Sequence, residues 1–144
     1  MGANSTIIAM NKWPAEFDHI RALLALQPAS GRTFIERGAE NIKLDPKKAA
    51  DQLDERVHEL TGFRLDEMSP IPSAAGVRVP TLLVQLRRDT LVNAEIDSQQ
   101  IFDALGSAEK ELFWIEDSDQ RFYAYNYFGE HPERMLDWFA RYMN

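Results

Sequence analysis

The sequence predicts a one-domain α/β fold, and three observations carry that prediction. Its 144 residues match the length of one domain, and a chain of that size buries about 70% of its unfolded surface without disulfides or metal. Hydrophobic residues make up 44% and charged residues 27%, an ordinary globular composition that excludes a wholly disordered chain. In the second half, apolar strand-like runs alternate with amphipathic stretches. That βαβα rhythm implies parallel strands joined by right-handed crossovers.

Residues 4–12 read as a short helix, capped by Asn4 or Ser5 and ended by Pro14, which pushes the residue before it out of the α region. Ile20-Arg21-Ala22-Leu23-Leu24-Ala25-Leu26-Gln27-Pro28 is nearly continuous and apolar, as suits a strand buried on both faces, although its Ala and Leu content also allows a helix. Residues 33–39 supply a helical turn or two. Asp45-Pro46 opens a helix on which Ala49, Ala50, Leu53, Val57 and Leu60 recur at helical spacing, with Gln52, Asp54, Glu55, Arg56 and Glu59 on its wet faces and Gly62 as its stop. A short helix or turn covers 64–68, and Ser69-Pro70-Ile71-Pro72-Ser73 reads as an extended linker.

Val79-Pro80-Thr81-Leu82-Leu83-Val84-Gln85-Leu86 is the clearest strand. Residues 94–105 form an amphipathic helix with Ile96, Ile101, Phe102 and Leu105 inward. Glu111-Leu112-Phe113-Trp114-Ile115-Glu116 is a third strand. The aromatic run Phe122-Tyr123-Ala124-Tyr125-Asn126-Tyr127-Phe128 reads as a loop laying its rings on the sheet edge and last helix, with a pocket wall or a subunit interface as alternatives. His131-Pro132 opens the last helix, with Met135, Leu136, Trp138, Phe139 and Tyr142 on its buried side. No internal repeat appears.

Charge and residue types exclude several functions. Lys plus Arg is 16 against 23 for Asp plus Glu, a net charge of −7, which argues against sequence-independent nucleic-acid binding and against anionic membrane surfaces. With no cysteine, no thiol nucleophile or thiolate metal site exists, and a reducing compartment fits. No run reaches the ~18–20 apolar residues of a membrane span. The first ten residues lack the basic and apolar regions of a signal peptide, so a cytoplasmic location is expected. His19, His58 and His131 share no ligand spacing, and Glu116-Asp117-Ser118-Asp119 reads as a solvated loop, so neither a metal nor a cofactor is expected. Ser5 and Ser30 lack the turn that would make either a nucleophile.

One pattern is more specific. Val79-Pro80-Thr81-Leu82-Leu83-Val84, Arg87-Arg88-Asp89-Thr90-Leu91-Val92, Glu116-Asp117-Ser118-Asp119-Gln120-Arg121-Phe122 and the closing Trp138-Phe139 helix resemble the C-terminal half of an α/β-hydrolase. Met1-Gly2-Ala3-Asn4-Ser5 is similar to the end of that family's nucleophile elbow, so the resemblance spans the whole chain and is most specific over 77–142. It implies a partial hydrolase fold of about three mainly parallel strands with flanking helices and a cap-like insertion at 29–76. It places Asp89 where the triad acid stands and Gln120 where the triad histidine stands. It also implies that the nucleophile would immediately precede Met1, and that the parent reaction is hydrolysis of an ester, thioester or amide.

A triad needs a nucleophile, a base and an acid that orients the base. Asp89 is able to orient a histidine, but the Gln120 amide has no nitrogen that titrates near neutral pH. The expectation is a C-terminal fragment inactive by itself, or a non-catalytic oligomeric or binding module built from a degenerate hydrolase. Either way the strand at 20–27 would carry an unpaired apolar edge. The expected partners are a second copy or a complementary N-terminal half, with a small-molecule substrate only once the fold is completed.

Overall fold

The sheet forms where the sequence is most apolar. In the computed structural model, which describes residues 2–143, β2 (Thr81–Leu86) is buried at every position. It lies between β1 (Leu23–Leu26) and β3 (Lys110–Ile115), with both neighbours parallel to it. Leu23 stands opposite Thr81 and Leu26 opposite Val84, while Thr81 meets Lys110 and Leu86 meets Ile115. A strand covered on both faces needs apolar side chains in both directions, which is why β2 reads as an unbroken run rather than an alternation.

The two faces feed two cores. On one, Leu83 packs with Ile7 and Met10 of α1 (Gly2–Lys12), with Val77, and with Ile101 of α4 (Ala94–Ala104). On the other, Leu82, Val84 and Leu86 pack with Ala124 and Phe128 of α5 (Arg121–Glu130) and Trp138 of α6 (Glu133–Tyr142). The expected α/β architecture of three parallel strands with flanking helices is the one observed. The strand expected over 20–27 is shorter, and it hydrogen-bonds only to β2. Among the described residues no strand lies on its other side.

Between β1 and β2 runs a helical hairpin, α2 (Gly31–Asn41) and α3 (Pro46–Thr61). The Asp-Pro start of α3 acts as read: Asp45 accepts a 2.8 Å hydrogen bond from the Lys48 N–H, and Pro46 occupies a first-turn position that needs no donor. Asp54 departs from its expected wet face. It is buried, accepting from the Leu65 N–H at 2.7 Å and from Arg64 at 2.9 Å. Leu53 and Leu60, spaced as an inward stripe, are instead 37% and 66% exposed.

Three further expectations are corrected. The segment read as an extended linker contributes to a 3₁₀ helix, Ile71–Gly76, because the φ that proline imposes is also the φ of a 3₁₀ turn. That turn is wedged between α1 and α4. A Cβ on Gly76 would lie 2.7 Å from Asn11 Cα, and one on Gly106 would strike the Ala75 carbonyl, so only glycine lets the backbones approach this closely. The aromatic run is helical, not a loop, since Ala124 and Phe128 one turn apart share a buried face. Ile96 and Leu136 point outward, at 53% and 57% exposure. Met1, read as part of the elbow, lies outside the described residues. Among those residues no helix is long and apolar enough to cross a membrane.

Candidate functional site

Four buried polar side chains, Gln27, Gln85, Asp89 and Arg121, gather at the carboxyl ends of the strands. Gln27, a non-glycine residue held at φ 49°, directly follows β1. β2 ends in Leu86, and three residues further on Asp89 turns back over the sheet, with its side chain completely enclosed. The loop after β3 leads into α5, whose first residue, Arg121, is itself buried.

These residues satisfy one another. Asp89 Oδ1 accepts the Leu91 N–H at 2.8 Å. Asp89 Oδ2 accepts Gln85 Nε2 at 3.1 Å and pairs with Arg121 Nη1. Arg121 Nη2 donates to the Gln27 carbonyl at 2.7 Å, and Gln27 Nε2 returns a bond to the Arg121 carbonyl at 2.9 Å. A buried carboxylate is tolerable only when it is paired and its lone pairs are used, and both conditions hold here. The planar guanidinium fork suits a role that serves two acceptors at once. The rings of Phe34 and Tyr125 flank it, with centroids 5.7 and 5.9 Å from Arg121 Cζ. The arrangement leaves two acceptors without a donor among the described residues, Gln27 Oε1 and Gln85 Oε1, because each amide turns its NH₂ toward the cluster.

Gln120 stands one residue away and takes no part in this network. It is exposed at the N-cap position of α5, where its N–H donates to Ser118 Oγ at 3.0 Å and its carbonyl accepts from Tyr123 at 3.0 Å. With Thr90, Leu91, Asp119, Arg121 and Phe122 it lines an open depression of about 440 Å³. The acidic loop before it is tied down at its start, where Glu116 accepts from Arg87 at 2.7 Å. His19 is exposed in the turn before β1, His58 is exposed on α3, and His131 closes α5 with its ring 4.6 Å from that of Tyr127. Among the described residues no group of three His, Cys, Asp or Glu side chains is placed to hold a metal ion.

Arg121 is the residue the sequence reading missed as a participant. Its signal was present: a lone cation directly after the position examined for a base, and the only charge of opposite sign to Asp89 in the Gln120-Arg121-Phe122 motif.

The order of elements, the three-stranded parallel sheet and the helical hairpin inserted between its first two strands form an arrangement shared with part of several solved esterase and lipolytic-enzyme structures. Solved structures that share it include an esterase from Pyrococcus furiosus, 19% identical, with a TM-score of 0.65 over 100% of this chain and 51% of that one. A structure from the metagenome-derived lipolytic enzymes LipS and LipT is also 19% identical, with a TM-score of 0.65 over 99% of this chain and 62% of its own. An acetyl xylan esterase from Paenibacillus sp. R4 is 16% identical, with a TM-score of 0.61 over 98% of this chain and 42% of its own. The likeness is one of fold, and the chain spans about half the length of the esterase structures it matches. No protein-family model and no curated protein matches the sequence.

Proposed function

We propose that this chain is the C-terminal part of an α/β-hydrolase-like protein. The parent chemistry is hydrolysis of an ester, thioester or amide, with Asp89 at the place of the triad acid and Gln120 at that of the triad histidine. By itself the chain does not carry out that hydrolysis. One observation supports this above the others: the Asp89 carboxylate is committed to Arg121, Gln85 and the Leu91 N–H. An orienting acid must offer an oxygen to the base, and a guanidinium that never deprotonates cannot serve as that base. The half-length match to esterases and the one-sided pairing of β1 support a complementary half that adds a strand beside β1. A small-molecule substrate enters only when that half is present.

The same ion pair favours a second reading, a non-catalytic binding or oligomeric module derived from a hydrolase. Hydrolysis of p-nitrophenyl acetate by the purified chain tests the proposal. The expected rate equals that of buffer and is the same for Asp89→Ala. Saturable turnover that Asp89→Ala abolishes would overturn it.

A further inference from the structure

We infer that residues 30–68 form a lid that swings as one rigid unit over the carboxyl end of the sheet, on a neck clasped by Asn4. The hairpin is held together from within. α2 packs on α3, and Arg32 joins α2 to Asp51 of α3 at 3.0 Å and to Asp66 at 2.9 Å. Asp66 lies in a 3₁₀ turn, Leu65–Met68, whose first N–H is held by Asp54 of α3. Arg64 ties the same turn to Asp54 and Glu55. Toward the sheet the picture is the reverse. Among the described residues, none of the apolar clusters that pack on the strands takes a side chain from 30–68. A body that shares no apolar core with its neighbour is free to move against it, because directional polar contacts alone set the cost of separation.

Pivot and latch are separate. The chain enters the lid after Ala29 and leaves it at Met68, and one side chain of α1 grips both points. Asn4 Nδ2 donates to the Ala29 carbonyl at 2.6 Å and to the Met68 carbonyl at 3.2 Å, while Asn4 Oδ1 accepts the Ala29 N–H at 3.1 Å. The latches lie on α2. Thr33 Oγ1 donates to Asp97 of α4 at 3.2 Å, and Asn41 Nδ2 donates to the Thr90 carbonyl at 2.8 Å. Between them the Phe34 ring stands 5.7 Å from Arg121 Cζ. Thr90 and Arg121 both line the open depression, so releasing the latches uncovers the Asp89–Arg121 pair and widens the way to it. The inference concerns access to that depression and not the chemistry within it, so it stands whether or not the chain is half of a hydrolase.

Distances between paired nitroxide labels, measured by double electron–electron resonance on the 144-residue chain, are the test. The chain has no cysteine, so Gln52→Cys on α3 and Gln100→Cys on α4 place the labels on lid and body without competition. Both positions are exposed. One closed distance is expected to dominate in the otherwise wild-type chain. Removing both latches, Thr33→Val with Asn41→Ala, forfeits two hydrogen bonds and raises the population at longer distance at least about fivefold. Adding Asn4→Ala broadens that population, because the pivot no longer fixes the direction of swing. A second labelled pair within the lid, Ile42→Cys with His58→Cys, keeps one narrow distance in every background. A lid-to-body distance indifferent to the latch variants would overturn the inference. So would a spread in the distance within the lid, which would mean that the hairpin melts instead of swinging, or an open population whose width ignores Asn4→Ala.

Discussion

The enclosed carboxylate of Asp89 meets the guanidinium of Arg121, 32 residues further along the chain, and not the side chain at position 120. This pair ties the turn after β2 to the start of α5, and through Arg121 Nη2 it also reaches Gln27, the residue just after β1. The pair thus lies at the carboxyl end of the sheet, where ligands enter open α/β folds.

The reciprocal bonds between Gln27 and Arg121 make Gln27 a sensitive position. Gln27→Ala removes the side-chain donor that reaches the Arg121 carbonyl and is expected to cost about 0.5–1.5 kcal/mol. The shift of the urea midpoint, at an unchanged slope, measures it.

The wedge of the 3₁₀ helix between α1 and α4 depends on close backbone approach. Gly76→Ala and Gly106→Ala each force a Cβ into backbone atoms and are expected to destabilise by about 1–3 kcal/mol. Gly38→Ala, in open space on α2, serves as the control and leaves stability unchanged or slightly raised. Thermal melts compare the three.

Asp97 of α4 is buried, and its one hydrogen bond to a side chain comes from the Thr33 hydroxyl at 3.2 Å. Burial pushes its carboxyl above the usual range, with Glu36 adding to the effect. The folded protein therefore holds this proton more readily than the unfolded chain. The ionised group costs stability at neutral pH, and that cost fades as the pH falls through the raised folded value toward the ordinary one. Asp97→Asn is expected to be more stable than wild type near neutrality, and the gap to close toward about pH 4. Urea midpoints across that range test the trend.

Two carboxylates of α3 behave in the opposite sense. The Leu65 N–H, then Arg64, hold the Asp54 carboxyl below its ordinary value, and Lys47, then Arg32, do the same for Asp51. Their stabilisation is present above the ordinary carboxylate range and is lost as the pH falls through the lowered folded values. Acid is expected to loosen the α2–α3 hairpin before the sheet. Hydrogen exchange, corrected for its intrinsic pH dependence, should show α3 amides losing protection in acid while β2 amides keep theirs. In Asp54→Asn the loss should be present already at neutral pH.

Much of the fold is legible in the sequence because its signals are local. β2 is an apolar β-branched run, α3 announces itself with Asp45-Pro46, and the breaks fall at Gly and Pro. α5 escapes because its aromatic residues rank low as helix formers, and its buried residues, Arg121, Ala124 and Phe128, mix a charge with apolar groups. The exposed stripe of α3 escapes because periodicity shows that a helix has an apolar side without showing what covers it. In the site, Asp89 is readable from its place after β2. Its partner is not, since Gln27 and Arg121 are brought together across 94 residues by packing alone. A search for a titratable base looks at position 120 and passes over the arginine beside it.

A double-mutant cycle between Asp89 and Arg121 is the most direct test of whether this carboxylate serves the arginine and not a catalytic base. Arg121→Met and Asp89→Asn, each stranding a buried partner, are expected to cost about 3–5 kcal/mol apiece. The double variant should cost far less than their sum, with a coupling of about 2 kcal/mol or more from urea denaturation. Costs that simply add, to within about 0.5 kcal/mol, would mean that the pair does not hold in solution, and the reading of Asp89 as a sequestered acid would fail with it.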